Sequence, residues 1–177
     1  MYTDSNTLIS PYLKKYNQIY TEINAIYHEA ARRMHLSDSA FDILYGIYDM
    51  GDNCQQRDIC NASCMPKQTV HSSISKLEKE GYLTLVSGKG RNKYIRLTDL
   101  GKELIEKKLL PLIRIENDAF NCMTAEECTQ MLALNQKYAQ ALRQGLSSYP
   151  EDLWLWTSNC RNISLIANYY ALYCHPS

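Results

Sequence analysis

The sequence predicts a mainly α-helical chain with one small β-hairpin, and three stretches carry that prediction. Residues 66–81, PKQTVHSSISKLEKEG, read as a short helix, because Val70, Ile74 and Leu77 recur at helical spacing and make one narrow apolar stripe. Residues 82–87 (YLTLVS) and 94–98 (YIRLT) are alternating runs of β-formers, joined by the turn GKGRNK. Outside this middle, long stretches on both sides carry helical periodicity. A helix followed directly by a hairpin with a cationic tip is the winged helix-turn-helix arrangement. The expected architecture is therefore a winged helix-turn-helix plus N- and C-terminal dimerisation helices.

Each element has its own warrant. Residues 1–7 are polar and expected to fray. From Thr7 to His35, Leu13, Tyr16, Tyr20, Ile23, Tyr27, Ala30 and Met34 are spaced alternately three and four apart. That spacing is a helix–helix seam. Its tyrosines have two readings: core or interface packing with the hydroxyl at the edge, or the wall of a pocket for a small aromatic ligand. Ser37 suits an N-cap, opening a second helix over Asp38 to Met50 that ends at Gly51-Asp52-Asn53. Gln55 to Ala62 reads as a short third helix, and Ser63-Cys64-Met65 as the tight link to the next. Pro66 suits the first helical position, and Gly81 can take the left-handed conformation that closes a helix. Asp99 opens a long helix to about Asn121, which must kink or break at Pro111. Thr124 and Glu127 form a capping box for a helix over about 125–145. The domain division is 1–36 for the N-terminal dimerisation helix and 37–98 for the winged helix-turn-helix middle. It continues with 99–146 for the C-terminal dimerisation helices and 147–177 for an extension without a clean period. The terminal helices carry more apolar surface than one copy can cover, so a homodimer is expected.

The 177 residues carry a formal net charge of zero, and the distribution is what matters. Seven of the nineteen Lys and Arg side chains lie in residues 66–98, against two carboxylates. A neutral chain with one concentrated basic lobe has the footprint of a nucleic-acid binder. The polar face of the 66–81 helix carries Lys67, Gln68, Thr69, His71, Ser72, Ser73, Ser75 and Lys76, and no carboxylate precedes Glu78. Such a face can lie against phosphates and base edges. Lys67, Lys76, Lys89, Arg91 and Lys93 would supply the sequence-independent attraction, and Gln68 can pair with both edge groups of adenine. His71 has two readings, an exposed neutral residue or a group that changes charge near neutral pH.

Several motifs occur in order. They are Leu36-Ser37 before an apolar helix, Pro66-Lys67-Gln68-Thr69-Val70, Lys76-Leu77-Glu78-Lys79-Glu80-Gly81-Tyr82-Leu83, and Leu97-Thr98-Asp99-Leu100-Gly101. Together they resemble MarR-type transcriptional regulators. The resemblance covers about residues 8–146 and is most specific in 66–101. It implies a homodimer that offers one winged helix-turn-helix per protomer to half of a palindromic duplex DNA operator, and the odd number of cysteines with no signal peptide in view points to a reduced cytoplasmic home. The resemblance also implies a repressor released by a small, often phenolic, aromatic effector bound between the lobes. By position, the recognition helix is Pro66 to Glu80, so Pro66, Lys67, Gln68, Thr69, His71, Ser72, Ser73 and Lys76 are the candidate DNA-binding residues there. Lys89, Arg91 and Lys93 are those of the wing. Arg91 matches the family's wing arginine. The aspartate that orients it in the family is replaced here by Lys89. The effector-binding residues are not indicated.

Other functions have less support. A winged helix used for protein–protein contact should show apolar anchors on the same face. An enzyme would need a paired base, an oxyanion site or a phosphate-cradling glycine loop, and none is visible, so no catalytic residue, metal or cofactor is expected. The seven cysteines, at 54, 60, 64, 122, 128, 160 and 174, match no common zinc spacing. Cys60 and Cys64 could form a disulfide or metal pair across a helix junction, which leaves a redox-sensing regulator as an alternative. Inert buried thiols are the default. A metal site using Glu22, His28, Glu29 or His35 has no recognisable ligand spacing. No apolar run approaches the ~20 residues of a membrane span.

Overall fold

A computed structural model describes residues 9–63, 65–90 and 92–148. The readings placed on Cys64, Arg91, Cys160, Cys174 and the extension after Ser148 lie outside the described residues.

The chain begins with α1 (Pro11–Arg33), whose N-cap Ser10 accepts from the backbone of Leu13. Then come α2 (Asp38–Met50), α3 (Gln56–Ala62) and α4 (Lys67–Lys79). Ser37 caps α2 as expected, accepting from the Ala40 amide at 3.3 Å. Helix α4 starts one residue later than the sequence suggests. Pro66 stands at the cap position with extended backbone, and its carbonyl accepts from Thr69 and Val70. Gly81 ends α4 with φ of 82°, a conformation that disfavours any residue with a Cβ.

Strands β1 (Leu83–Ser87) and β2 (Lys93–Leu97) pair antiparallel, with Leu83 opposite Leu97 and Leu85 opposite Ile95. Residues 53–55 add a short edge that the sequence does not announce. Asn53 donates to the Ile95 carbonyl, Ile95 donates to Cys54, and Gln55 bridges Tyr94. The Asp52 carboxylate accepts from the Leu97 amide at 2.9 Å, so the turn after α2 is tied to the far strand. Thr98 then caps α5 (Asp99–Leu104) and donates to the Gly81 carbonyl. Gly101 is required here: a Cβ on it would lie 1.9 Å from the Tyr82 carbonyl oxygen.

Sequence reasoning expected a kink or a break at Pro111. Just before that proline the chain makes one wide π turn, Ile105–Leu109, and continues as α6 (Leu110–Asn121). A π turn bonds i to i+5, so it precedes the proline, whose missing donor falls in the first turn of α6. Thr124 and Glu127 form both bonds of the capping box that opens α7 (Ala125–Ser147).

Two apolar clusters hold these elements. The larger joins Ile43, Leu44 and Ile47 of α2, Ile59 of α3, Val70, Ile74 and Leu77 of α4, and Leu83 and Ile95 of the hairpin. The smaller joins Ala31 of α1, Phe41 of α2, and Ile105 and Leu109 of the π turn. Above it, the Tyr27 and Tyr45 hydroxyls donate to the two oxygens of Glu116 at 2.6 and 2.7 Å. That carboxylate bridges α1 and α2 to α6. Of the seam tyrosines, Tyr27 therefore packs against other helices, and Tyr16 meets Tyr138 of α7 with ring centroids 5.0 Å apart.

Candidate nucleic-acid interface

The apolar stripe of α4 fixes which of its side chains face outward. Val70, Ile74 and Leu77 are fully buried. Lys67, Gln68, His71, Ser72, Ser75 and Lys76 are exposed, Pro66 before the helix is exposed too, and Thr69 is half-buried. Ser73 is the exception among the candidate residues. It is buried, and its hydroxyl donates to Ser39 of α2 at 2.8 Å, so it ties α4 to α2 and lies off the open face. The Ser72 hydroxyl donates back to the Thr69 carbonyl and keeps its oxygen available as an acceptor.

Of the two carboxylates near this face, one is drawn to the hairpin and the other pairs with a lysine of the face. Glu78 accepts from the Leu85 amide at 3.0 Å, which fastens the hairpin to α4. Glu80 lies 3.8 Å from Lys76. No acidic side chain stands in the first turn of α4, so the positive end of the helix dipole is left uncancelled beside Lys67. Lys89 and Lys93 of the wing are exposed. Between them the turn closes through Gly88 and Asn92, and Gly90 takes φ of 69°. The third wing cation, Arg91, lies outside the described residues.

One residue of this surface was not singled out from sequence. The Gln56 side-chain nitrogen on α3 lies 2.7 Å from His71 Nδ1 on α4. The two residues are fifteen apart, and the only signal was the helix-turn-helix arrangement itself, which sets the start of one helix beside the next.

The other candidates are placed elsewhere. His28 bonds the Asp38 carboxylate at 2.9 Å. Glu29 accepts from Arg32 and Arg33, which hold its carboxyl down at about 2. Cys54 and Cys60 pack half-buried against the larger cluster, and burial pushes both thiols above the ordinary range. Such thiols are poor nucleophiles. Among the described residues, no helix is long and apolar enough to cross a membrane.

Residues 35–91 match the MarR family, a span that runs from the start of the helix-turn-helix through the wing tip. This winged helix-turn-helix is of the MarR family. Similar solved structures extend the likeness of fold to the flanking helices. Staphylococcus aureus MepR in complex with DNA is 22% identical over 75% of this chain and 98% of its own, with a TM-score of 0.62. A MarR family regulator from Neisseria meningitidis is 19% identical over 78% of this chain and 98% of its own, with a TM-score of 0.66. The Streptomyces coelicolor transcriptional regulator PcaV, solved with its natural ligand, is 18% identical over 71% of this chain and 92% of its own, with a TM-score of 0.55. No curated protein matches the chain.

Proposed function

We propose that this chain is a dimeric, sequence-selective transcriptional regulator, a repressor released by a small aromatic effector, and not an enzyme. The observation that carries the reading is the open face of α4. It is cationic and rich in amide and hydroxyl groups, Glu78 is turned to the hairpin while Glu80 lies beside one of the face's cations, Lys76, and the hairpin is bonded to the same helix. In this reading α4 enters the major groove. Lys67 and Lys76 meet phosphates, Gln68 reads adenine, and Thr69 or Ser72 meets a base edge. The wing residues Lys89, Arg91 and Lys93 rest on the backbone beside it.

Pairing of two copies is supported by the terminal helices. Neither α6 nor α7 buries any residue within the protomer. Ile115, Leu132, Leu134 and Leu146 stay more than half or about half exposed, at 64, 50, 57 and 51%. Residues 1–36 and 99–146 would form that lobe, and residues 37–98 would read the duplex. The Tyr27–Glu116–Tyr45 junction joins the two parts. An aromatic effector that displaced it would change how one part sits on the other.

Selection of duplexes from a randomised pool by the purified protein tests the reading. An inverted repeat with half-sites about one helical turn apart is expected, with affinity falling steeply as salt rises. Lys89→Ala should flatten the salt dependence by roughly one charge, and Gln68→Ala should relax preference at one base pair. Retention that ignores salt, or no retention, would refute it.

A further inference from the structure

Helix α3 contributes to the same face through one contact. The Gln56 amide nitrogen approaches Nδ1 of His71 at 2.7 Å, the side chains coming from consecutive helices. An amide nitrogen can only donate, so Nδ1 is the acceptor in this bond. A neutral imidazole that accepts at Nδ1 carries its proton on Nε2, at the opposite edge of the ring. His71 is exposed, and Lys67 and Ser75 stand one turn before and after it on α4. The bond therefore fixes two properties of His71 before any duplex arrives. One is the rotation of its ring, and the other is its state as a single outward-facing donor. Bare acceptors that such a donor can meet are purine N7, guanine O6 and thymine O4.

We infer that Gln56 is a specificity-determining positioning residue that acts through His71, setting it to donate from Nε2 to a base acceptor in the major groove. This rests on the regulator reading above. It adds that the base preference of the recognition helix depends on a residue of the preceding helix. A mobile imidazole would offer a donor or an acceptor by turns and would discriminate poorly. The held ring rejects a base edge that presents a donor at that place.

Two experiments on the full chain test this separately from the regulator reading. The first is imidazole ¹⁵N spectroscopy of the free protein at pH 8. The His71 ring should carry its proton on Nε2, and Gln56→Met, which keeps the shape and removes the donor, should shift the Nδ1 signal. A proton on Nδ1, or a ring signal indifferent to Gln56→Met, would overturn the assignment. The second is duplex selection with variants. His71→Ala and Gln56→Met should each lose about fivefold discrimination at one and the same base pair, the scale of one hydrogen bond. The double variant should be no worse than either alone. Gln56→Lys, a donor of similar reach, should restore the preference, and Gln56→Glu, an acceptor only, should not. A merely structural role for Gln56 predicts equal weakening toward all sequences with preference intact, and that result would overturn the inference while leaving the regulator reading in place. Wild-type protein without any duplex preference would overturn the regulator reading and the specificity role together, and the spectra would then report the pairing alone.

Discussion

Helices α4 and α7 are both amphipathic, yet they dispose of their apolar rows in opposite ways. Val70, Ile74 and Leu77 of α4 are fully buried within their own protomer. Helix α7 is ten residues longer, with 23 against 13, and buries none. Leu132, Leu134, Leu142 and Leu146 remain exposed along it. Periodicity says that a face is to be covered; it does not say by which chain. The difference also divides the labour of the molecule. The middle holds its reading surface rigid without help. The outer helices leave their apolar surface open, and the proposed pairing of two copies would cover it.

The largest expected effect attacks that second half of the contrast. Leu134→Asp combined with Leu142→Asp should weaken self-association by at least about a thousandfold, because charge in an apolar interface costs several kcal/mol. Sedimentation would show monomers at micromolar concentration. A variant that stays dimeric would break the contrast and place the interface elsewhere. Next in size, Leu77→Ala should cost about 3 kcal/mol of folding stability in a denaturant titration, through the cavity left in the larger cluster. A cost below 1 kcal/mol would mean that α4 is not anchored as described.

The smallest effect marks where the two regions meet. Asp42 of α2 titrates at about 6, raised first by burial and second by the Asp38 carboxylate one turn earlier. Its folded value lies above its unfolded one, so the native state binds the extra proton between about pH 4 and 6. Stability from this group is present below that window and lost as pH rises through it. Asp42→Asn should therefore stabilise the protein by roughly 2 kcal/mol at pH 8 and hardly at all at pH 4. The burial arises within one protomer, so the gain should survive in the monomeric double variant. If it vanished there, Asp42 would belong to the interface between copies.

Much of the fold was legible because its signals are local. Ser37, Thr98 and the Thr124–Glu127 pair are caps that satisfy backbone donors three residues away. What was not legible depends on distant partners. Residues 53–55 have no strand pattern, and they form an edge only because β2 presents free backbone groups beside them. The inward turn of Ser73 was partly legible. It sits three residues after Val70 and four before Leu77, inside the buried stripe, and its hydroxyl disguised that position. Of the candidate DNA-contacting residues, the outward set follows from the same stripe by subtraction. The Gln56–His71 bond does not, since nothing within fifteen residues of sequence encodes it.

The wide turn at Ile105–Leu109 has a geometric consequence. It holds one residue more than an α-helical turn, and each residue of a helix advances about 100° around the axis. Every side chain after it is therefore offset by that angle from where an unbroken helix would have carried it. Glu116 meets two phenols because of this surplus residue. Removing one of the exposed lysines at 107 or 108 would regularise the helix, swing the carboxylate away from both hydroxyls, and change the bearing at which α6 leaves the helix-turn-helix middle.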